Sequence, residues 1–270
     1  MRHLDSRPEA ESASRAATPI LGRVTVAVAP VLGEPRAAGP LTSQYLNGAR
    51  LAVLESRGDW FRVRGPDQYE GWMHRGYFID SEEGPGVDER VSLGCVVRSQ
   101  DGRTRRLPLG ALLDADEDAV AGEIVRRAEL SIHFPTVGPA IAESALRFFE
   151  GTSYLWGGVT PWGADCSGLV QSVFGLHGLA LPRDAVDQAR RGVDVTATAG
   201  ALIAGDLVFF SDREDGRITH VAIAIGESRI VHLALGRGGY AVERLSGDGD
   251  AYVMALRARI RGVRRLIGAV

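Results

Sequence analysis

The sequence predicts an α+β fold: one or two small β-barrels, then a larger unit with helices first and an antiparallel sheet after them. Three observations carry this. Residues 20–80 form a series of short strand-like runs separated by Gly and Pro. From Val137 the apolar spacing lengthens to the helical pattern, over 139–150 and again over 166–176. Beyond Gly205-Asp206, strand-like runs return and continue to residue 257.

Composition narrows the function. A chain of 270 residues, 45% hydrophobic, can bury a core in more than one domain. A formal net charge of −3, with no basic patch interleaved with aromatics, excludes a general nucleic-acid binder. Lysine is absent, which reads as compositional bias rather than function. Two cysteines, Cys95 and Cys166, are too few for a disulfide framework or a structural zinc site, and no metal or cofactor is expected. Residues 1–19 are rich in Ser, Ala, Glu and Arg and read as a disordered tail rather than a signal peptide. No run of about 18 apolar residues occurs, so no membrane partner is expected and the expected setting is cytoplasmic.

Residues 20–80 supply the first barrel. Val24–Val28 is strand-like, Gly33-Glu34-Pro35 is a turn, and Ala49–Glu55, Trp60–Arg64 and Gly71–His74 follow as further strands. The order Gly58-Asp59-Trp60-Phe61-Arg62-Val63 and then Gly71-Trp72 resembles bacterial SH3 domains, where these stretches mark adjacent strands. Trp60 reads as barrel core; Tyr69 and Trp72 are left open to a groove role. Residues 81–136 fit a second, divergent SH3-like module. Within it, Val91–Arg98 and Thr104–Leu109 form a hairpin around Gln100-Asp101-Gly102. The acidic run 113–118 reads as a solvated turn, since it lacks the spaced ligands and glycine of a calcium loop. Cys95, inside an apolar strand, reads as a small buried hydrophobe.

Residues 137–270 supply the larger unit. Helices are expected over Pro139–Glu150, Cys166–Leu176 and Ala185–Arg191, the second with Leu169, Val170, Val173 and Phe174 on one face. Strands are expected over Leu207–Phe210, Ile218–Ile225, Arg229–Leu235, Ala241–Leu245 and Tyr252–Arg257. Helices packed on a following antiparallel sheet are the arrangement of papain-like cysteine hydrolases.

The chemistry begins at Cys166. It follows two glycine-rich turns, Trp156-Gly157-Gly158 and Pro161-Trp162-Gly163, and opens a helix. The helix N-terminus favours a thiolate and lowers the thiol pKa from its free value of about 8.5. Two histidines supply a base and an orienter. His220 and His232 are twelve residues apart with Gly226 at their midpoint. In a hairpin centred on that glycine they lie directly opposite, about 5 Å apart at Cβ, whereas an even-length loop places them on opposite faces. His3, His74, His133 and His177 read as structural.

Tyr154-Leu155-Trp156-Gly157-Gly158, Asp165-Cys166-Ser167-Gly168-Leu169-Val170, Leu181-Pro182-Arg183, Gly205-Asp206-Leu207-Val208-Phe209-Phe210, Thr219-His220-Val221 and Val231-His232 occur in that order. Together they make residues 137–257 resemble the NlpC/p60 family of cell-wall cysteine peptidases. The resemblance implies that Cys166 is the nucleophile, His220 the general base and later acid, and His232 the residue that orients it. The resemblance also implies that Tyr154 adds a hydroxyl to the oxyanion site. Leu181-Pro182-Arg183-Asp184, with an SH3 domain ahead, is similar to murein-peptide endopeptidases of the recycling type. Those cut the γ-D-glutamyl bond to a diamino acid in peptides with a free N-terminal L-Ala. The implied partner is then a murein tripeptide or tetrapeptide. The implied substrate-binding residues are Asp165, pairing with the free amine, Ser167, Arg183, Asp184 and, reaching across from the barrel, Tyr69. Asp165 reads equally as a helix N-cap, and Arg183 as a partner of Asp184 or of a helix end. Hydrolysis of intact wall, acyl transfer or amidase chemistry on the same core, and wall binding without catalysis are the alternatives. The sequence leaves the oligomeric state open.

Overall fold

The computed structural model describes residues 20–81, 89–195, 202–246 and 249–267. The expected disordered tail at 1–19 lies outside them. The first module contributes a seven-stranded sheet: β1 (Ile20–Val24), β2 (Val28–Leu32), β3 (Leu41–Leu46), β4 (Arg50–Arg57), β5 (Trp60–Arg64), β6 (Glu70–His74) and β7 (Phe78–Asp80), in the order β3-β2-β6-β5-β4-β1-β7. Val24, Val31, Leu51, Val63, Met73 and Phe78 fill its core. Two expectations are corrected. Val24–Val28 is not one strand: the chain turns at Thr25–Ala27, so that β1 pairs with β4 and β7 while β2 pairs with β3 and β6. Trp60 is only half-buried, edge-on to His74 at 5.2 Å, and the core tryptophan is Trp72, 8% exposed beneath the Arg57 guanidinium. Its burial removes Trp72 from any groove.

Residues 90–126 form a three-stranded antiparallel sheet, β8 (Arg90–Ser99), β9 (Thr104–Leu107) and β10 (Glu117–Arg126), with β8 central. Cys95 is buried in its core. The acidic run is a solvated turn only in part: Asp116 and Asp118 are exposed, but Asp114 and Glu117 are paired. Glu117 is 4% exposed and holds Arg105 at 2.5 Å; Asp114 holds Arg105 at 2.8 Å and also pairs with Arg23 of β1. Arg105 donates in turn to Thr25 O and Asn47 Oδ1, so these charges join the two modules.

The third unit has helices α1 (Leu130–His133), α2 (Gly138–Phe149), α3 (Cys166–Leu176) and α4 (Ala185–Gln188), with a small ribbon, β11 (Val159–Thr160) and β12 (Gly163–Ala164), before α3. Its main sheet comprises β13 (Val193–Asp194), β14 (Leu207–Phe210), β15 (His220–Gly226), β16 (Arg229–Ala234), β17 (Gly239–Arg244) and β18 (Ile260–Arg265), ordered β13-β18-β14-β15-β16-β17. One face, with Phe209, Val221, Ile223, Val231 and Leu233, packs on Ile141 and Phe149 of α2 and Leu169, Val170 and Val173 of α3. The other face, with Val208, Phe210, Ala222 and Ile230, packs on Val253 and Leu256 of helix α5 (Ala251–Ala258). Residues 252–257 are therefore helix, not the expected strand. Asp250 accepts from Tyr252 N and Val253 N as N-cap, and Val253 and Leu256 bury one helical stripe. The helices and antiparallel sheets give the α+β class. Among the described residues, no helix is long and apolar enough to cross a membrane.

Candidate active site

Cys166 is the first residue of α3, and Asp165 caps that helix by accepting from Gly168 N at 2.8 Å. The local sequence explains the entry. A Cβ on Gly168 would fall 2.0 Å from Gly158 O, and one on Gly158 would strike Gly163 and Ala164, so both close approaches need glycine. The thiol is 7% exposed. Burial pushes its pKa up to about 12, with Asp165 adding to the rise, while the Val221 and Ser167 amides and Arg183 act downwards. The lowering expected from the helix terminus is thus outweighed by loss of water. Burial likewise lowers His220 to about 4 and His232 to about 3, so thiol and imidazoles rest neutral at pH 7 without substrate.

The two histidines meet, but by a different route from the expected hairpin. Glu227 and Ser228 both adopt positive φ and form a two-residue turn, an even loop. Alone, that loop sets His220 and His232 on opposite faces. A bulge at Ile225 shifts the register from Gly226↔Arg229 to Ala224↔Ile230 and Ile223↔Val231. Carried one pair further, His232 stands opposite Ala222, two residues from His220 and on its face. The imidazoles are diagonal neighbours, with His220 Nε2 2.8 Å from His232 Nδ1. The engaged Nε2 leaves His220 Nδ1 as its free nitrogen.

Arg183, 2% exposed, grips both oxygens of Asp165, NH1 to Oδ1 at 3.0 Å and NH2 to Oδ2 at 2.6 Å. It also donates to Ser167 Oγ at 2.8 Å. Asp165 further accepts from Gly157 N and Ser167 Oγ. This carboxylate therefore carries five donors, and Asp165 and Ser167 are knit into the floor beneath Cys166. Asp184 differs: it is exposed at the rim, and among the described residues its carboxylate makes no hydrogen bond or ion pair. Loss of water raises its pKa, with Arg183 opposing.

Tyr69 comes from the first module and lines the same cleft of about 940 Å³ as Tyr154, Cys166, Arg183, Asp184 and His220. Its loop is built for the task. Tyr45 OH shares its one proton between Asp67 Oδ1 at 2.9 Å and Tyr69 O at 2.8 Å and accepts from Gly65 N. Gly65 must be glycine, because a Cβ there falls 2.1 Å from the Tyr45 ring. Gln171 of α3 donates to Asp67 Oδ2 at 2.9 Å and fastens the loop to the catalytic helix. Burial raises the Tyr69 phenol, and Asp184 adds to the rise. Burial also raises the Tyr154 phenol, followed by Cys166 and Asp165.

Sequence reasoning missed Thr42, Trp156, Asp212, Arg213, Arg217, Tyr252 and Arg259, which complete the walls. Trp156 stood inside the Tyr154–Gly158 motif and was within reach of it; the others carry no local signal. Gln188 was also missed. It is fully buried and ties Ser167 O to Pro182 O, holding the Arg183 loop against α3.

Comparison with known proteins agrees with this geometry. The NlpC/P60 family matches residues 151–257, and the bacterial SH3 domain matches residues 28–79. A gamma-D-glutamyl-L-lysine dipeptidyl-peptidase of Bacillus subtilis is 31% identical over 217 residues, covering 71% of this chain and 72% of that protein. The protein of the same name from Bacillus cereus is 27% identical over 229 residues, covering 72% and 68%. The crystal structure of an NlpC/P60 family protein from Bacillus cereus superposes with a TM-score of 0.75 at 20% identity, covering 92% of this chain and all of that one. The relatives are peptidases, and a cysteine with a paired histidine is the equipment of a cysteine peptidase. With a bacterial SH3 domain before its cysteine–histidine fold, the chain belongs to the NlpC/P60 family.

Proposed function

We propose that this protein hydrolyses the γ-D-glutamyl bond to a diamino acid in short cell-wall peptides that bear a free N-terminal L-Ala. The observation that carries the reading is Tyr69: a side chain of the SH3 module stands in the cleft with the cysteine and histidine of the peptidase fold. A cleft walled in this way suits the end of a small peptide better than a continuous strand of wall. The names of the relatives point to the same bond.

In this reading His220 Nδ1 takes the Sγ proton and the Cys166 thiolate attacks the γ-carbonyl carbon. The Cys166 backbone N–H and the Tyr154 hydroxyl bind the developing oxyanion. His220 returns the proton to the leaving amine, and water then hydrolyses the thioester. Asp165 serves as helix cap and Arg183 anchor, because its oxygens are committed to five donors. The substrate ammonium falls instead to Asp184, whose carboxylate lies beside Tyr69 and has no ion-pair partner among the described residues. Turnover of released peptides is the process this specificity serves. The test is mass spectrometry of L-Ala-γ-D-Glu-diamino-acid tripeptide. The wild type should release L-Ala-D-Glu and the Cys166→Ala variant should not. An inert wild type, or equal release by both, overturns the reading.

A further inference from the structure

His232 is wholly buried, and one of its ring nitrogens has no hydrogen bond among the described residues. Nδ1 meets His220 Nε2, while Nε2 is unpartnered. The acidic atom it faces is Glu243 Oε1, 3.9 Å away. Glu243 belongs to β17, where Ala241 pairs with His232 and Glu243 with Ile230, so it lies on the face that carries both histidines. It is 7% exposed, and Arg237 Nε holds the same Oε1 at 2.7 Å. Arg237 is itself fixed by Asp250 at 2.6 Å and by the Tyr252 ring, 4.2 Å from its guanidinium carbon.

We propose that Glu243 is a positioning residue for the Cys166–His220–His232 constellation, holding His232 as the Nε2–H tautomer so that its Nδ1 accepts from His220 Nε2–H. The proposal rests on the peptidase reading and adds a member to its machinery. With His232 so fixed, His220 keeps its Nδ1 lone pair for the thiol proton. When the S–H bond breaks and the Nδ1–H bond forms, positive charge appears on His220 and is felt through His232 by the Glu243 carboxylate. The gap of 3.9 Å exceeds a hydrogen bond by about 1 Å, and catalytic hydrogen bonds commonly tighten once substrate is bound. The charged and titratable groups around the pair are few. Arg237 faces it from the turn after β16, Tyr252 and Asp250 from α5, and Asp165 and Asp212 act on His220. His220 and Arg237 oppose protonation of His232, and Glu243 Oε1 pairs with the Arg237 cation at 2.7 Å.

Imidazole nitrogen NMR of the whole chain tests this without substrate. In the wild type His232 should carry its proton on Nε2. In Glu243→Gln that single tautomer should be lost, and first protonation of the histidine pair should move about half a unit or more to lower pH. The same variant should lose about tenfold or more in kcat with KM nearly unchanged. Neutralising Arg237 as well, in Glu243→Gln/Arg237→Met, should not restore the tautomer. Wild-type tautomer and titration in Glu243→Gln overturn the proposal. Full recovery in the double variant does so too, by reducing Glu243 to a counter-ion of Arg237. Should Glu243→Gln not fold, Glu243→Asp withdraws the carboxylate by one methylene and is held to the same tautomer test. An inactive wild type with His232 in the stated tautomer counts against the peptidase reading alone.

Discussion

Arg183 and Asp184 are adjacent, yet their surroundings give them opposite tasks. Arg183 is sealed beneath the cleft with both its terminal nitrogens on Asp165. Removing it leaves a buried carboxylate with no cation, the costly half of a broken buried pair. Arg183→Met should therefore lose about 3–5 kcal/mol in denaturant unfolding; a change below about 1 kcal/mol contradicts the assignment. Asp184 is at the rim with no ion-pair partner among the described residues, so Asp184→Asn should leave the unfolding midpoint in place. Its effect should fall on KM, raised about tenfold for free-amine peptides and unchanged for N-acetylated ones. Equal effects on both peptides remove Asp184 from amine recognition. The neighbouring residues show what sequence can reveal. The motif located Asp165, Arg183 and Asp184, but which carboxylate stays unpaired depends on Gly157, Gly168 and Ser167 converging from a turn and a helix.

Elements were legible where local signals agree. Helix α3 spans the predicted Cys166–Leu176 because an N-capping Asp and an apolar stripe mark the same boundary, and β14 spans the predicted Leu207–Phe210 as a short apolar run after a Gly-Asp turn. They were not legible where two periods fit one segment. Tyr252, Met254 and Leu256 alternate as a strand would, and only the Asp250 cap and the partner face on the sheet select the helix. Likewise β3 escaped notice because its inward positions are Ser43 and Tyr45, polar types in a buried row. The bulge at Ile225 has no sequence mark, and the histidine pairing predicted from an ungapped hairpin is reached through a bulge and an even turn. Loop 65–70 offers a prediction at this scale. Gly65→Ala must displace the Tyr45 ring, which carries Tyr69 and Asp67, so kcat/KM for the tripeptide should fall about tenfold or more and stability should drop. Unchanged kinetics would show that Tyr69 does not need this loop.

At the scale of the whole molecule, the first and third units share one cleft. The first module reaches the cleft through Tyr69, holds α3 through Asp67–Gln171, and accepts Val159 N on Gln44 Oε1. Acid stability follows from the same burial. His220 and His232 are lowered to about 4 and about 3, and His177 is also lowered by burial, against 6.5 for the free side chain. The unfolded chain therefore takes up protons at a higher pH than the folded one. Their contribution to stability is present above pH 6.5 and is lost as the pH falls toward 4. Denaturant midpoints should drop between pH 7 and pH 5, less steeply in His232→Gln; an identical slope in that variant contradicts the buried neutral imidazole. Cysteine–histidine chemistry is joined to a cleft that the SH3 module walls through Tyr69. Mass spectrometry of one tripeptide, L-Ala-γ-D-Glu-diamino acid, offered with a free and with an acetylated N-terminus, tests this link most directly. The free peptide should release L-Ala-D-Glu and the blocked one should be cleaved about a hundredfold more slowly, or slower still; equal rates, or cleavage at another bond, would rule out amine recognition in a cleft walled by the SH3 module.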